Sequence, residues 1–226
     1  MSTKTIAGVT VPDTPVVTAA QALARDHMDD WSYNHVIRSW LLGFAIAEQM
    51  PPFAERDQEL HAVAAILHDL GWVEKDMFMS SDKCFEVDGA NAAKAFVERQ
   101  PNLAEWDQHR KQLLWDAIAL HTHPPVAMHK QPEVSATCFG ILADFVGPAG
   151  IPGGALSDSA WKSIIHDFPR QGFKSGVIET MCGLCKNKPE TTYKTFVSEF
   201  GDEMVDGYTS KGQRVFDIIQ NTVDAD

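Results

Sequence analysis

Apolar residues recur at i, i+3, i+4 and i+7 along most of this chain, the spacing of a single buried helix face, and strand signals are thin. Residues 1–15 carry Val, Thr and two prolines and read as an extended arm. A helix follows over Pro15 to Ala24, with Thr18 as its expected cap. After Asp29-Asp30 a long amphipathic stretch repeats Leu41, Leu42, Ala45 and Ile46 at helical spacing until Pro51-Pro52 ends it. Asp57 is placed to cap the next helix, whose stripe is Leu60, Val63, Ala64 and Leu67. The span Trp72 to Phe85 has no helical period and reads as a loop. Further helices are expected over Gly89–Gln100 (capped by Asp88, stopped by Pro101), Glu105–His121, Glu133–Val146, Ser157–Phe168, Phe173–Cys185, Pro189–Phe200 and Gly212–Val223. The densest breaker cluster, Gly147 to Gly154, reads as a loop, because the helices after it are too few for a core of their own. The expected fold class is all-α, one compact domain over residues 1–226.

Composition changes the picture little. With 226 residues, 44% hydrophobic and 22% charged, the chain is an ordinary globular one, long enough for one sizeable core. A formal charge of -12 argues against a nucleic-acid backbone or an anionic membrane surface as partner. No apolar leader core or spanning run is seen, so a cytoplasmic location is expected. Four cysteines are too few for a disulfide scaffold. Cys182 and Cys185 have CxxC spacing but lack a second CxxC or a strand-helix unit before them, so they read as packing residues.

The chemistry gathers where the apolar run Leu60–Leu67 ends in His68-Asp69-Leu70-Gly71. Burial of that helix brings an imidazole and a carboxylate to its inner C-terminal end, where they are costly without a partner. The bland reading is a surface His-Asp pair at a helix end closed by Gly71 as C-cap. Two residues weigh against it. His35 opens a core-facing helix, and Asp144 is an acid inside the apolar run Phe139 to Val146. Together His35, His68, Asp69 and Asp144 form a shell of two imidazoles and two carboxylates from three helices, the ordinary ligands of zinc and first-row metals.

That order of residues resembles the HD-domain metalloenzyme superfamily. The blocks Asn34–Arg38, His68–Gly71, Phe85–Ala93, Trp115–Thr122 and Pro189–Tyr193 are similar, more narrowly, to the fungal cyanamide hydratase family, over about Asp30 to Gly201. The resemblance implies a compact helical HD fold and one divalent metal on His35, His68, Asp69 and Asp144. Zn2+ is expected, with Fe2+ allowed by the same donors. It also implies a homo-oligomer.

By this reading the metal lowers the pKa of a bound water towards 7, and the hydroxide adds to the nitrile carbon of cyanamide, giving urea after tautomerisation. Asp69 takes or holds the water proton, and His121 or a bound water protonates the nitrogen. Asn34, Phe85 and Glu86 are the expected substrate-binding residues, Glu86 orienting a ligand or pairing with Arg38. The loop Trp72 to Phe85 is placed as a lid, with Trp72, Met77 and Phe78 as possible walls. His123, His27, His61, His109, His129 and His166 read as ordinary surface or core histidines.

The strongest rival is an HD phosphohydrolase acting on a nucleotide or other phosphate ester, for which Arg38 and Lys75 are the available cations near the motifs. A dinuclear-iron oxygenase needs further histidines, and His121 is the one good candidate. A non-catalytic HD scaffold for a small molecule leaves the buried polar set without a purpose.

Overall fold

The computed structural model describes residues 1–73, 77–101 and 103–222. Helices dominate it, as the periodicity predicts, and the described residues hold one two-stranded sheet. The chain gathers into two compact units, one of Met1–Met79 with Phe85–Gln171, the other of Ser80–Cys84 with Gly172–Asp226, where the sequence suggested one.

In the first unit the expected arm folds back on itself. Strand β1 (Thr3–Ile6) pairs antiparallel with β2 (Val9–Pro12), Ile6 opposite Val9. The two residues between them, Ala7 and Gly8, both have positive φ (49° and 82°), the geometry of the tightest hairpin turns. The hairpin buries Val9 and Val11 in the core, which is why this segment does not stay a free arm.

Among the described residues, eight α-helices belong to the same unit. Helix α1 (Pro15–His27) starts on Pro15 after an extended Thr14, one turn earlier than a Thr18 cap would give. Next come α2 (Asp30–Ala47) and α3 (Gln58–Leu67), the latter capped by Asp57, whose side chain accepts from the Leu60 amide at 3.0 Å. Then follow α4 (Phe85–Val97), α5 (Gln108–Ala119), α6 (Pro124–Ala127) and α7 (Pro132–Val146), with α8 (Asp158–Asp167) closing the unit. Helix α4 opens at Phe85 rather than after Asp88, which places Phe85 and Glu86 in its first turn. Helix α5 stops at Ala119, so His121 leaves the helix instead of ending it.

The stripe expected on α3 proves to be the whole helix, since every residue from Glu59 to Leu67 is buried. Helices α1, α2, α5 and α7 and strand β2 pack around it. An apolar helix covered on all sides is a central one, and its C-terminal end therefore opens into the interior.

Two glycine contacts set the distances there. A Cβ on Gly140 of α7 would lie 2.3 Å from the Ser39 carbonyl oxygen and 2.7 Å from the Gly43 Cα, both on α2. The antiparallel helices thus cross backbone to backbone, with His35 of α2 facing Asp144 one turn further along α7. Gly71 is not the left-handed cap the sequence suggested. A Cβ there would meet the Phe85 carbonyl oxygen at 1.9 Å, so its bareness lets the start of α4 lie against the turn after His68-Asp69.

In the second unit α9 (Phe173–Asn187) packs on α10 (Val197–Met204), and α11 (Val215–Thr222) follows. The helix expected over Pro189–Phe200 is broken. Thr191, Thr192 and Thr195 donate their hydroxyls to the carbonyls of Lys188, Pro189 and Thr192, a local alternative to the helical ladder that leaves a single turn at Pro189–Thr191. Val223, the expected end of the last helix, lies outside the described residues. Cys182 and Cys185 are free and buried, as packing residues are. Among the described residues no helix is long and apolar enough to cross a membrane.

Candidate metal centre

Four elements bring the site together. Helix α2 supplies His35, the end of α3 supplies His68 and Asp69, the turn after α5 supplies His121, and α7 supplies Asp144. All five are buried, the most exposed being His121 at 5%.

Each histidine is held by its Nδ1. His35 Nδ1 donates to Asp144 Oδ2 at 2.7 Å, His68 Nδ1 to the Ala65 carbonyl at 2.9 Å, and His121 Nδ1 to the Ile118 carbonyl at 2.6 Å. With the ring proton committed there, a neutral imidazole carries its lone pair on Nε2. All three Nε2 atoms look at one carboxylate. His68 Nε2 lies 2.9 Å and His35 Nε2 3.5 Å from Asp69 Oδ2, and His121 Nε2 lies 3.7 Å from Asp69 Oδ1.

Lone pairs facing carboxylate oxygens repel, and among the described residues no protein donor relieves them: both Asp69 oxygens and His68 Nε2 are buried without a hydrogen-bond partner there. A divalent cation answers that arrangement. His35, His68 and Asp69 offer ligand atoms all within 4.8 Å of one another. Two imidazoles and a carboxylate with open positions suit catalytic zinc or ferrous iron.

Asp144, the fourth expected ligand, faces His35 and two arginines. Arg38 donates Nε to its Oδ1 at 2.8 Å and Nη2 to its Oδ2 at 2.7 Å, while Arg170 donates Nη2 to its backbone carbonyl at 2.6 Å. Burial alone would push the Asp144 carboxyl up, but the bonds from His35 and Arg38 and their charge hold it below the ordinary range. Arg38 is fully buried, and its Nη1 goes to the Phe168 and Pro169 carbonyls at 3.3 and 3.0 Å. Its place beside Asp144 was within reach of the sequence, since Arg38 lies three residues from His35 and so on the same face of α2.

The remaining expectations divide. Glu86 is buried and accepts from the Thr122 hydroxyl at 2.8 Å; its expected partner Arg38 is taken by Asp144. Phe85 stacks on Trp72 at 5.7 Å and stands edge-on to His121 at 5.6 Å, so both aromatics wall the site. Phe145, which sequence reasoning passed over, lies edge-on to His35 at 5.4 Å; only its position one residue past Asp144 hinted at this. Phe78 packs on His27 instead, and Met77 is exposed. Asn34 donates to the Pro169 carbonyl at 3.3 Å. His123 is exposed, and Lys75 lies outside the described residues.

Three buried histidines titrate low. Burial is the first cause in each, with the Arg56 charge adding at His61 and His68 adding at His121, which is pushed down to about 4. In the unfolded chain each takes a proton near pH 6.5, so between there and its folded value the unfolded state binds more protons. Stability is therefore complete above about pH 6.5 and is lost on acidification. At about 1.36 kcal/mol per pKa unit, His121 alone accounts for about 3 kcal/mol by pH 4. Urea-denaturation midpoints of the metal-free protein should fall steadily from pH 7.5 to pH 5, and midpoints that stay level would show these imidazoles to be protonated in the fold.

Among protein families, the HD domain matches residues 32–144, half of the chain and the span from the start of α2 to Asp144. Among curated proteins, none matches the chain. A metal-dependent, hydrolase-type activity follows from the family match and agrees with the His35, His68 and Asp69 cluster.

Proposed function

Because the chain belongs to the HD-domain family of metal-dependent enzymes, we propose that its reaction is the hydration of cyanamide, or a similar small nitrile, to urea. The observation that carries the choice of a small neutral substrate is the engagement of Arg38. A phosphate ester calls for cations facing the metal, whereas this guanidinium is spent on Asp144 and two backbone carbonyls. Trp72 and Phe85 add apolar walls suited to a compact, uncharged molecule.

His35, His68 and Asp69 would hold a divalent ion, zinc or ferrous iron, which would supply the Lewis acidity that lowers the pKa of a water near neutral pH. The chain's own residues handle the protons. His121, neutral at pH 7 and with its Nδ1 proton tied to Ile118, offers Nε2 as an acceptor. It takes a proton as the water oxygen bonds to the nitrile carbon, and returns it to the nitrile nitrogen. A group with so low a pKa gives its proton up readily, so it serves as donor only after it has served as acceptor. Asp69 Oδ1, facing His121 Nε2, stabilises the imidazolium in between. The hydrated product tautomerises to urea with atoms and charge in balance.

A phosphohydrolase is the second reading, favoured by Arg170, whose side chain is 37% exposed beside Asp144. Metal-loaded protein should release urea from cyanamide and leave p-nitrophenyl phosphate and nucleotides intact. Release of phosphate without urea, from protein carrying stoichiometric metal, would overturn the hydratase reading in favour of the second.

A further inference from the structure

We propose that Lys188 is a positioning residue for the reaction: by holding the segment Ser80–Cys84 it sets the place of Phe85, the aromatic wall beside His121. The inference rests on the hydration proposed for that site.

A lysine is almost never buried without a partner for its ammonium group. Lys188 is 5% exposed, and its Nζ donates to the Ser80 carbonyl at 2.8 Å. The base of this side chain is as firmly held as its tip. The Lys188 amide donates to the Leu184 carbonyl in α9 at 2.9 Å, and the Lys188 carbonyl accepts from the amide and the hydroxyl of Thr191 at 3.1 and 2.9 Å. At the other end Ser80 Oγ accepts from the Lys83 amide at 3.2 Å, which closes a turn over Ser80–Lys83. A hold on Ser80 is therefore passed along the segment and not lost in slack chain.

Ser80–Cys84 groups with Gly172–Asp226, although in sequence it interrupts the first unit. The segment ends at the Cys84-Phe85 peptide bond. Phe85 is the first residue of α4, with its ring stacked on Trp72 at 5.7 Å and edge-on to His121 at 5.6 Å. Consecutive Cα atoms are about 3.8 Å apart across one stiff peptide unit, so freedom at Cys84 becomes freedom at Phe85. An apolar wall touches the substrate alike in the ground state and in the transition state. Loosening such a wall weakens binding and leaves the chemical step alone.

Lys188→Met keeps most of the stem and removes the donor. Cys84 is partly exposed and Cys138 is buried in the core of the first unit, so iodoacetamide followed by mass spectrometry reads the segment against a control. Labelling of Cys84 should be about tenfold faster in the variant, the effect of losing one hydrogen bond from a charged donor on a local opening, with Cys138 as protected as in the parent. KM for cyanamide should rise about 5–10-fold at nearly unchanged kcat, and Co2+ affinity in chelator competition should equal the parent's. Labelling of Cys84 at the parental rate would overturn the anchor, and faster labelling with parental KM would overturn its link to Phe85. A fall in kcat at unchanged KM, or lost Co2+ affinity, would show a general structural role instead. If circular dichroism finds Lys188→Met unfolded, two glycines inserted between Cys84 and Phe85 uncouple the segment with Lys188 in place; the same rise in KM is expected, and a parental KM would overturn the proposal. A parent that forms no urea overturns the proposed reaction alone. Hydrogen exchange at the first turn of α4 then decides the anchor: faster in Lys188→Met if Phe85 depends on it, parental if it does not.

Discussion

The His68→Ala protein is expected to form no detectable urea from cyanamide and to lose tight metal binding, while keeping its fold. His68 Nε2 is the closest imidazole nitrogen to Asp69, at 2.9 Å, and its ring is buried with Nδ1 on its own helix carbonyl at Ala65. Removing it deletes one of three converging ligands, so the loss of affinity should exceed the roughly 10–100-fold that a partner behind a ligand costs. Without the ion the water keeps the acidity of bulk water, and His121 has nothing useful to deprotonate. The fold should persist because the deletion also removes a lone pair that faces a carboxylate, an unfavourable contact in the metal-free chain. Metal content by elemental analysis, urea release and circular dichroism, measured on one preparation, check the three parts together. A folded variant that retains stoichiometric metal and parental urea formation would remove His68 from the centre.

Replacing Arg38 by methionine is expected to lower stability by about 3–5 kcal/mol, the cost of breaking a buried ion pair from one side. Arg38 and Asp144 are both fully buried, and methionine roughly keeps the volume while leaving the carboxylate with His35 as its remaining side-chain donor from α2. For a chain of this size, about 2–4 °C per kcal/mol puts the fall in melting temperature at about 6–20 °C. The same change removes the hydrogen bonds to Phe168 and Pro169, which tie the segment after α8 to α2. Adding a neutral partner, as in Arg38→Met/Asp144→Asn, should recover part of the loss, because an unpaired buried charge is then no longer left behind. A single variant that melts with the parent would show that water reaches Asp144 and that the pair is not sealed.

The helical fold was largely legible because its causes are local. Helices α2, α3 and α7 announce themselves by spacing, by Asp57 at a cap, and by prolines at their ends. The errors fall where one segment answers to another far along the chain. Gly71 looked like a helix cap because glycine after a helix usually is one, whereas the reason for it is the Phe85 carbonyl, fourteen residues later. The break at Pro189–Thr191 came from threonine hydroxyls that prefer local carbonyls, a competition that apolar spacing does not register. The hairpin was missed because its strands are short and the burial of Val9 and Val11 that helps hold them is a tertiary feature.

His35, His68, Asp69 and Asp144 stand out in the sequence because polar residues at core-facing positions of apolar helices need partners, and His121 stands out through the family resemblance. That physical demand is written along the chain itself. Which partner each one takes depends on where the helix axes cross and on which nitrogen of each ring turns inward. The close α2–α7 crossing at Gly43 and Gly140 puts Asp144 against Arg38 and His35 Nδ1, and the carbonyl of Ile118 leaves His121 with a lone pair where a proton donor had been expected. Residue types and their order thus pointed to His35, His68 and Asp69, which the fold brings within reach of one ion. Only the tertiary structure, by fixing distances among groups far apart in sequence, decided which of them face one another.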